Sequence, residues 1–534
     1  LKPSTGFLAS SISSSVNPQQ TKTLKHLLEG SKLAGASISA TGEMALVTIS
    51  EVDTQTEKSS YQRRVVQLNN NKILATYRNS EVSQLQWMPK GNKLSYLYSG
   101  SVWVYNFDNG TEVEIVKGLN EISSYTWSPT EQHVIYYVNE KPEEQKGDFR
   151  RILTMEDRQP GWRNRQFLYA VDIKTGKHQR LTWGNKSTMM HDISADGSKL
   201  LFSTSYEEYL ERPFTKQNLY QLNLSTGVLD TIWTDKLFGL SVNYSPNGEQ
   251  LLAIGAPLAF GNIGVNVSDD KIPNGYDNQA YIFDMESRNI EAITRDFNPT
   301  IQDAYWSKLS NTIYFNTVDE DKNSLYEYNP KKNKFVKLNV SEEMIQSVDF
   351  ANDKPIALYT GSGSASWSKA YQLNLKTNSS VLVDNTDALN YTEVQFGETK
   401  NWSFISSQGQ KVTGYYYLPP NFESNKKYPT IVYYYGGTSP VGRDFGGRYP
   451  MHYYAANGFV VLVLNPSGTI GFGQDFSAAH VNAWGKITAD EIIEGTQKFC
   501  AENQFVDDKK VGCMGASYGG FMTMYLLTQT DVFA

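Results

Sequence analysis

Between about residues 35 and 388 one pattern of apolar and polar positions keeps returning: an aromatic or apolar residue, a short turn, then alternating apolar residues. It stands as Ile38-Ser39-Ala40-Thr41-Gly42, Trp87-Met88-Pro89-Lys90-Gly91, Trp127-Ser128-Pro129, Ile193-Ser194-Ala195-Asp196-Gly197, Tyr244-Ser245-Pro246-Asn247-Gly248 and Trp306-Ser307-Lys308. A fainter copy lies at Phe350-Ala351-Asn352-Asp353. Second strands answer these turns, as in Leu219-Tyr220-Gln221-Leu222-Asn223-Leu224 and Phe167-Leu168-Tyr169-Ala170-Val171-Asp172. Strict alternation over runs this short predicts half-buried antiparallel strands. The copies are spaced by about 40 to 66 residues. That spacing suits four-stranded blades with loops of varying length, so an N-terminal β-propeller of about seven blades is expected. An array of β-sandwiches is the alternative, and the regular repeat favours the propeller.

After about residue 388 the period changes. Lys411 to Leu418 and Thr430 to Tyr435 read as strands, and Phe459 to Leu464 is a continuous apolar run suited to a parallel strand buried on both faces. Thr488-Ala489-Asp490-Glu491 offers a capping box for a helix with Ile492, Ile493, Thr496, Phe499 and Cys500 on one face. Lys510 to Met514 reads as a strand and Tyr518 to Thr530 as a helix. Strands alternating with helices predict an α/β domain with a doubly wound, mostly parallel sheet. The expected division is an N-terminal segment at 1–34, the propeller at 35–388 and the α/β domain at 389–534.

Composition narrows the function classes. The 534 residues carry a net charge of −7, with 34 Tyr and 10 Trp. No basic face is evident, which argues against a nucleic-acid partner. No run of about 18 apolar residues suggests a membrane span. Gly6 to Ser15 is too rich in serine for a signal-peptide core. The two cysteines, Cys500 and Cys513, suit a helix and a strand better than a disulfide framework, and the six histidines show no ligand spacing with them. Neither a metal nor a cofactor is expected.

The sharpest chemical signal is Gly515-Ala516-Ser517-Tyr518-Gly519-Gly520, set between a strand and a helix. A serine there stands on a tight, strained turn that lifts its hydroxyl above the sheet, with a helix N-terminus aimed at developing negative charge. Upstream, the strand ending at Tyr435 runs into Gly436-Gly437-Thr438. The loop after that strand supplies part of the oxyanion hole in α/β-hydrolases, so the Tyr435 hydroxyl and the Tyr518 N–H are the candidate donors.

These motifs, in this order and with Asn465-Pro466-Ser467-Gly468-Thr469-Ile470-Gly471-Phe472-Gly473 between them, resemble the prolyl oligopeptidase family of serine peptidases. The resemblance implies a propeller over an α/β-hydrolase domain, with Ser517 as nucleophile and Tyr435 as the oxyanion tyrosine. Ser467 departs from it, since relatives usually carry arginine there in Asn-x-Arg-Gly. In this fold the triad runs serine, acid, histidine along the chain. Only 17 residues follow Ser517, none of them histidine. The hydrolase domain is therefore expected to be incomplete at its C-terminus, with a missing segment of the same domain as partner.

Two weaker constellations stand in the propeller. By resemblance to dipeptidyl peptidases, Glu207 and Glu208 are candidates for the substrate's free amine. Arg163, in an arginine-rich insertion at 147–165, is a candidate for a peptide carbonyl or carboxylate. The expected activity is a serine-type exopeptidase of dipeptidyl peptidase type acting on short peptides. Acylaminoacyl peptidase or oligopeptidase activity is the alternative, as is an inactive hydrolase-fold binding protein. A homo-oligomer is left open, and resemblance alone leans towards a periplasmic or secreted location.

Overall fold

The computed structural model describes residues 20–78, 82–119, 122, 124–143, 145–237 and 239–534. The serine-rich stretch from Gly6 to Ser15 lies outside them. Residues 31–77, 83–116, 125–180, 188–237 and 241–292 each form one four-stranded antiparallel sheet in chain order. Residues 300–337 and 344–384 form two further four-stranded meanders, joined by the single parallel pair Asn323 and Met344. The chain is thus a multi-bladed sheet region followed by a mixed sheet.

The repeated serine explains the repeated turn. Ser39, Ser128, Ser194 and Ser245 each accept, on Oγ, the amide of the residue five positions on, at 2.9–3.1 Å. The hydroxyl thereby closes the turn and starts the next strand. The residue before it, for example Trp127, Ile193, Tyr244 or Trp306, is buried in the core. Successive sheets share these cores: Trp127 and Val134 pack with Met88 and Val102 of the preceding sheet, and Trp306 and Ile313 with Leu252 and Ile282. The last sheet packs on the first, with Leu358 and Ala370 against Ile38 and Val47. The Ile38 N–H donates to Asp349 Oδ2 at 2.8 Å across that same contact.

The second sheet contains β1 (Thr399–Ile405), β2 (Lys411–Tyr417), β3 (Tyr428–Tyr433), β4 (Val460–Asn465) and β5 (Val506–Met514), in the order β1-β2-β4-β3-β5. The β4, β3 and β5 strands are parallel, while β1 and β2 run antiparallel at one side, so the sheet is mixed. The unbroken apolar run in β4 follows from burial on both faces. Val460, Leu462 and Leu464 pack under α2 (Lys486–Glu502) and α3 (Tyr518–Leu526). Val461 and Val463 face Met451 and Ala455 of α1 (Met451–Ala456) on the other side.

Helix α2 corrects one expectation. It begins at Lys486 after Gly485, two residues before Thr488, so the capping box is not used and Glu491 turns inward. Gln20–Thr21 pairs in parallel with Val394–Gln395.

Candidate active site

Parallel pairing sets the site. Tyr433 is level with Met514 and with Val463, so β3, β4 and β5 end at one edge of the sheet. Tyr435 lies two residues past β3 and Ser517 three past β5, which brings both to the carboxyl edge where open α/β sheets bind ligands. The rings of Tyr435 and Tyr518 stand 6.2 Å apart, with Gly437 between them.

Ser517 caps α3 with φ 55° and ψ −116°, a conformation rare for any residue that carries a Cβ. Holding a non-glycine residue there costs on the order of 1–3 kcal/mol, and such strain gathers at functional sites. The surroundings enforce it. A Cβ on Gly515 would lie 2.7 Å from the Gly519 carbonyl carbon and oxygen, and one on Gly519 would lie 3.0 Å from the Tyr434 oxygen. Strand end, turn and helix therefore meet backbone to backbone. The Ser517 side chain is exposed and makes no capping hydrogen bond. The Tyr518 N–H belongs to the first turn of α3, where amides have no partner within the helix. Backbone donor, tyrosine and exposed hydroxyl share one edge, an arrangement suited to acyl transfer.

The loop at 466–473 braces this edge. Ile470 N–H donates to the Thr438 oxygen at 2.8 Å, directly after the Tyr435-Gly436-Gly437 stretch. Asn465 grips Val441 by both its amide groups. The same loop meets the multi-bladed region, where Glu320 N–H donates to the Gly471 oxygen at 2.9 Å. Further along, Ser477 Oγ donates to Asp277 at 2.7 Å, and Lys271 pairs with Asp475 at 2.6 Å. Arg443, buried, pairs with Asp321 at 2.8 Å and lies 3.4 Å from Glu343, its guanidinium over the Tyr415 ring. Sequence pattern gave no sign of this cluster, because a lone arginine in a loop has no periodicity.

The remaining candidates make their contacts within the multi-bladed region. Both Glu207 oxygens accept from the Thr215 hydroxyl, at 2.9 and 3.0 Å, and the Glu208 carboxylate accepts the Leu210 amide at 3.4 Å. Arg163 is held by Asp157 through Nε at 2.8 Å, with a second contact from Nη2. The Asp157 carboxylate is buried among Arg163, Arg150 and the Leu153 amide, and its pKa falls far below the usual carboxylate range, chiefly through Arg163. No hydrogen bond, ion pair or ring contact joins Glu207, Glu208 or Arg163 to the hydrolase sheet among the described residues. No helix among those residues is long and apolar enough to cross a membrane.

A strained serine between strand and helix, at the carboxyl edge of a mixed sheet that follows a multi-bladed array, is the arrangement of an α/β-hydrolase fold. The model of the prolyl oligopeptidase family matches residues 447–534. Dipeptidyl-peptidase 5 of Porphyromonas gingivalis is 23% identical over 347 residues, which are 63% of this chain and 48% of that protein. The chain thus spans about half the length of that curated relative. The solved uncomplexed acylaminoacyl peptidase of Pyrococcus horikoshii matches with a TM-score of 0.75 at 17% identity, over 95% of this chain and 77% of that one. Dipeptidyl peptidase 4 of Porphyromonas gingivalis matches with a TM-score of 0.57 at 16% identity, over 94% and 74%. These matches show homology to the serine peptidases of the prolyl oligopeptidase family.

Proposed function

We propose that the protein cleaves short peptides by acyl transfer, with Ser517 as nucleophile and the Tyr435 hydroxyl and Tyr518 N–H as oxyanion donors. The observation that carries this reading is the strained, exposed Ser517 on its strand–turn–helix junction. Ser517 Oγ attacks the carbonyl carbon and its proton passes to a base. The two donors take up the charge on the oxygen, the amine leaves with the proton, and water then releases the acyl group. Family resemblance assigns the base to a histidine later in the chain than the nucleophile, oriented by an acid. His452 does not suit that role. Its Nε2 lies 2.6 Å from the Ser364 oxygen, and burial holds its pKa down at about 4. A fluorophosphonate probe should label Ser517 in the full-length protein, and labelling that survives Ser517→Ala would overturn the assignment.

Within that class we infer release of an N-acylated residue or short peptide rather than a free-amine dipeptide. Support comes from the closer fold match to an acylaminoacyl peptidase and from the engagement of Glu207 by Thr215. Dipeptide release is the second reading, favoured by the name of the Porphyromonas relative. Matched N-acetyl and free-amine peptides separate the two. If Glu207→Gln with Glu208→Gln raises KM only for free-amine peptides, the second reading holds. We also infer that the sheets close as a seven-bladed propeller over residues 35–388, supported by the core shared between last and first sheets.

A further inference from the structure

Helix α2 carries a carboxylate with no structural reason of its own to be buried. Glu491 is 2% exposed, and no ion pair to it occurs among the described residues. Its Oε2 accepts the Ser467 N–H at 2.7 Å, its Oε1 accepts the Ser467 Oγ–H at 2.8 Å, and the Ser406 side chain adds a further hydrogen bond to the carboxylate. Ser467, itself 2% exposed, is the residue at which this chain departs from the family's usual arginine. A buried carboxylate is costly unless donors meet it, and one that lost its donors would be more costly still. The pair therefore has one low-energy arrangement, and it fixes the backbone of residue 467 against α2.

That backbone opens the loop at 466–473, which carries two further contacts. Its Ile470 amide holds the Thr438 carbonyl, three residues after Tyr435, and its Gly471 carbonyl receives the Glu320 amide from the multi-bladed region. Helix α2 also touches the oxyanion loop directly, since a Cβ on Gly436 would lie 3.1 Å from the Thr488 methyl. The loop is a joint between α2, the oxyanion stretch and the blade, and Glu491 is its fastening to α2.

We propose that Glu491 is a positioning residue for the oxyanion stretch, acting through Ser467 and the 466–473 loop on Tyr435. This deepens the acyl-transfer reading and rests on it. In Glu491→Gln the amide nitrogen can face the Ser467 hydroxyl, but one of the two anionic acceptors is gone, so the loop loses its single arrangement.

The test uses the full-length protein and a chromogenic N-acetyl peptide. Glu491→Gln should lower kcat by roughly tenfold to a hundredfold, the effect of displacing catalytic groups by about an ångström, with KM changed less than twofold. Ser467→Ala, which removes one donor and leaves the backbone amide, should give a smaller loss in the same direction. Because Glu491 acts through Tyr435, Glu491→Gln should add little to Tyr435→Phe in the double variant. A merely structural role predicts the opposite: lower melting temperature, kcat of the folded fraction unchanged, or effects that multiply in the double variant. Should Glu491→Gln fail to fold, a Ser467→Ala variant with unaltered kcat overturns the proposal by itself. A wild type that fluorophosphonate does not label overturns the peptidase reading and this inference with it. A labelled wild type matched by a fully active Glu491→Gln overturns this inference alone.

Discussion

Gly515→Ala is the sharpest perturbation of the Ser517 turn that leaves every reacting group chemically intact. The added Cβ would lie 2.7 Å from the Gly519 carbonyl carbon and oxygen and 2.8 Å from its Cα. Optimal carbon contacts are about 3.5 Å, so turn and helix must part by ~0.8 Å. All three obstructing atoms are backbone, so no rotamer change relieves the clash. Overpacking of this kind costs about 1–3 kcal/mol. A displacement near 1 Å at the reacting groups costs on the order of a hundredfold in rate. Gly512→Ala is the control, because its Cβ meets nothing within 4 Å. Thermal melts and kcat/KM on one N-acetyl peptide should show Gly515→Ala less stable and about a hundredfold slower, with Gly512→Ala close to wild type. If Gly515→Ala kept the activity of Gly512→Ala, the backbone crossing would not set the position of Ser517, and the argument from strain would fail.

Tyr435→Phe should lower kcat by about a hundredfold or more with KM nearly unchanged, since losing one oxyanion donor costs about 2.7–4 kcal/mol of transition-state stabilisation; a normal kcat would show that the ring only packs. Asp387 offers a pH test: burial pushes its carboxyl up to about 6 from 3.8, the Leu33 amide at 2.5 Å opposing and Asp384 adding to the rise. The folded chain therefore holds a proton that the unfolded chain releases between about pH 4 and 6, so stability falls as pH rises through that window. Asp387→Asn keeps an acceptor for Leu33 and should stabilise the protein by up to ~3 kcal/mol at pH 8 and not at all at pH 3, as read by thermal melts. A gain that is equal at both pH values would place the penalty elsewhere.

The blades were legible because each repeat carries its own turn chemistry. The serine at four of these turns (Ser39, Ser128, Ser194 and Ser245) is a local device, closing on an amide five residues away, and local devices leave a mark in sequence. The faint copy at Phe350 lacks that serine; there the Ala351 amide and the Ile356 carbonyl close the turn, so only the apolar residue remained to be read. The cross-sheet bond from Ile38 to Asp349 was invisible for the opposite reason, since it joins residues 311 positions apart. The β4 strand was legible from its unbroken apolar run, but the direction of β2 against it was not, because both pairings bury the same side chains.

At the site the division follows the same physics. Ser517 showed itself because glycines must flank a backbone crossing, and that need is written within six consecutive residues. Glu491 was misread because Thr488 and Glu491 stand at the spacing of a capping box, and local spacing cannot report that a helix begins two residues earlier. The corrective signal was present as the unusual Ser467. A small hydroxyl where relatives place a cation removes a positive charge from a buried loop, and the acid beside it must then be met by hydrogen bonds alone. The Ser467 amide and hydroxyl do this together with the Ser406 side chain, and burial still pushes the Glu491 carboxyl upward against them. A departure from a family pattern at a buried position thus implies a compensating donor set. Here that set couples α2 to the loop that holds the stretch after Tyr435.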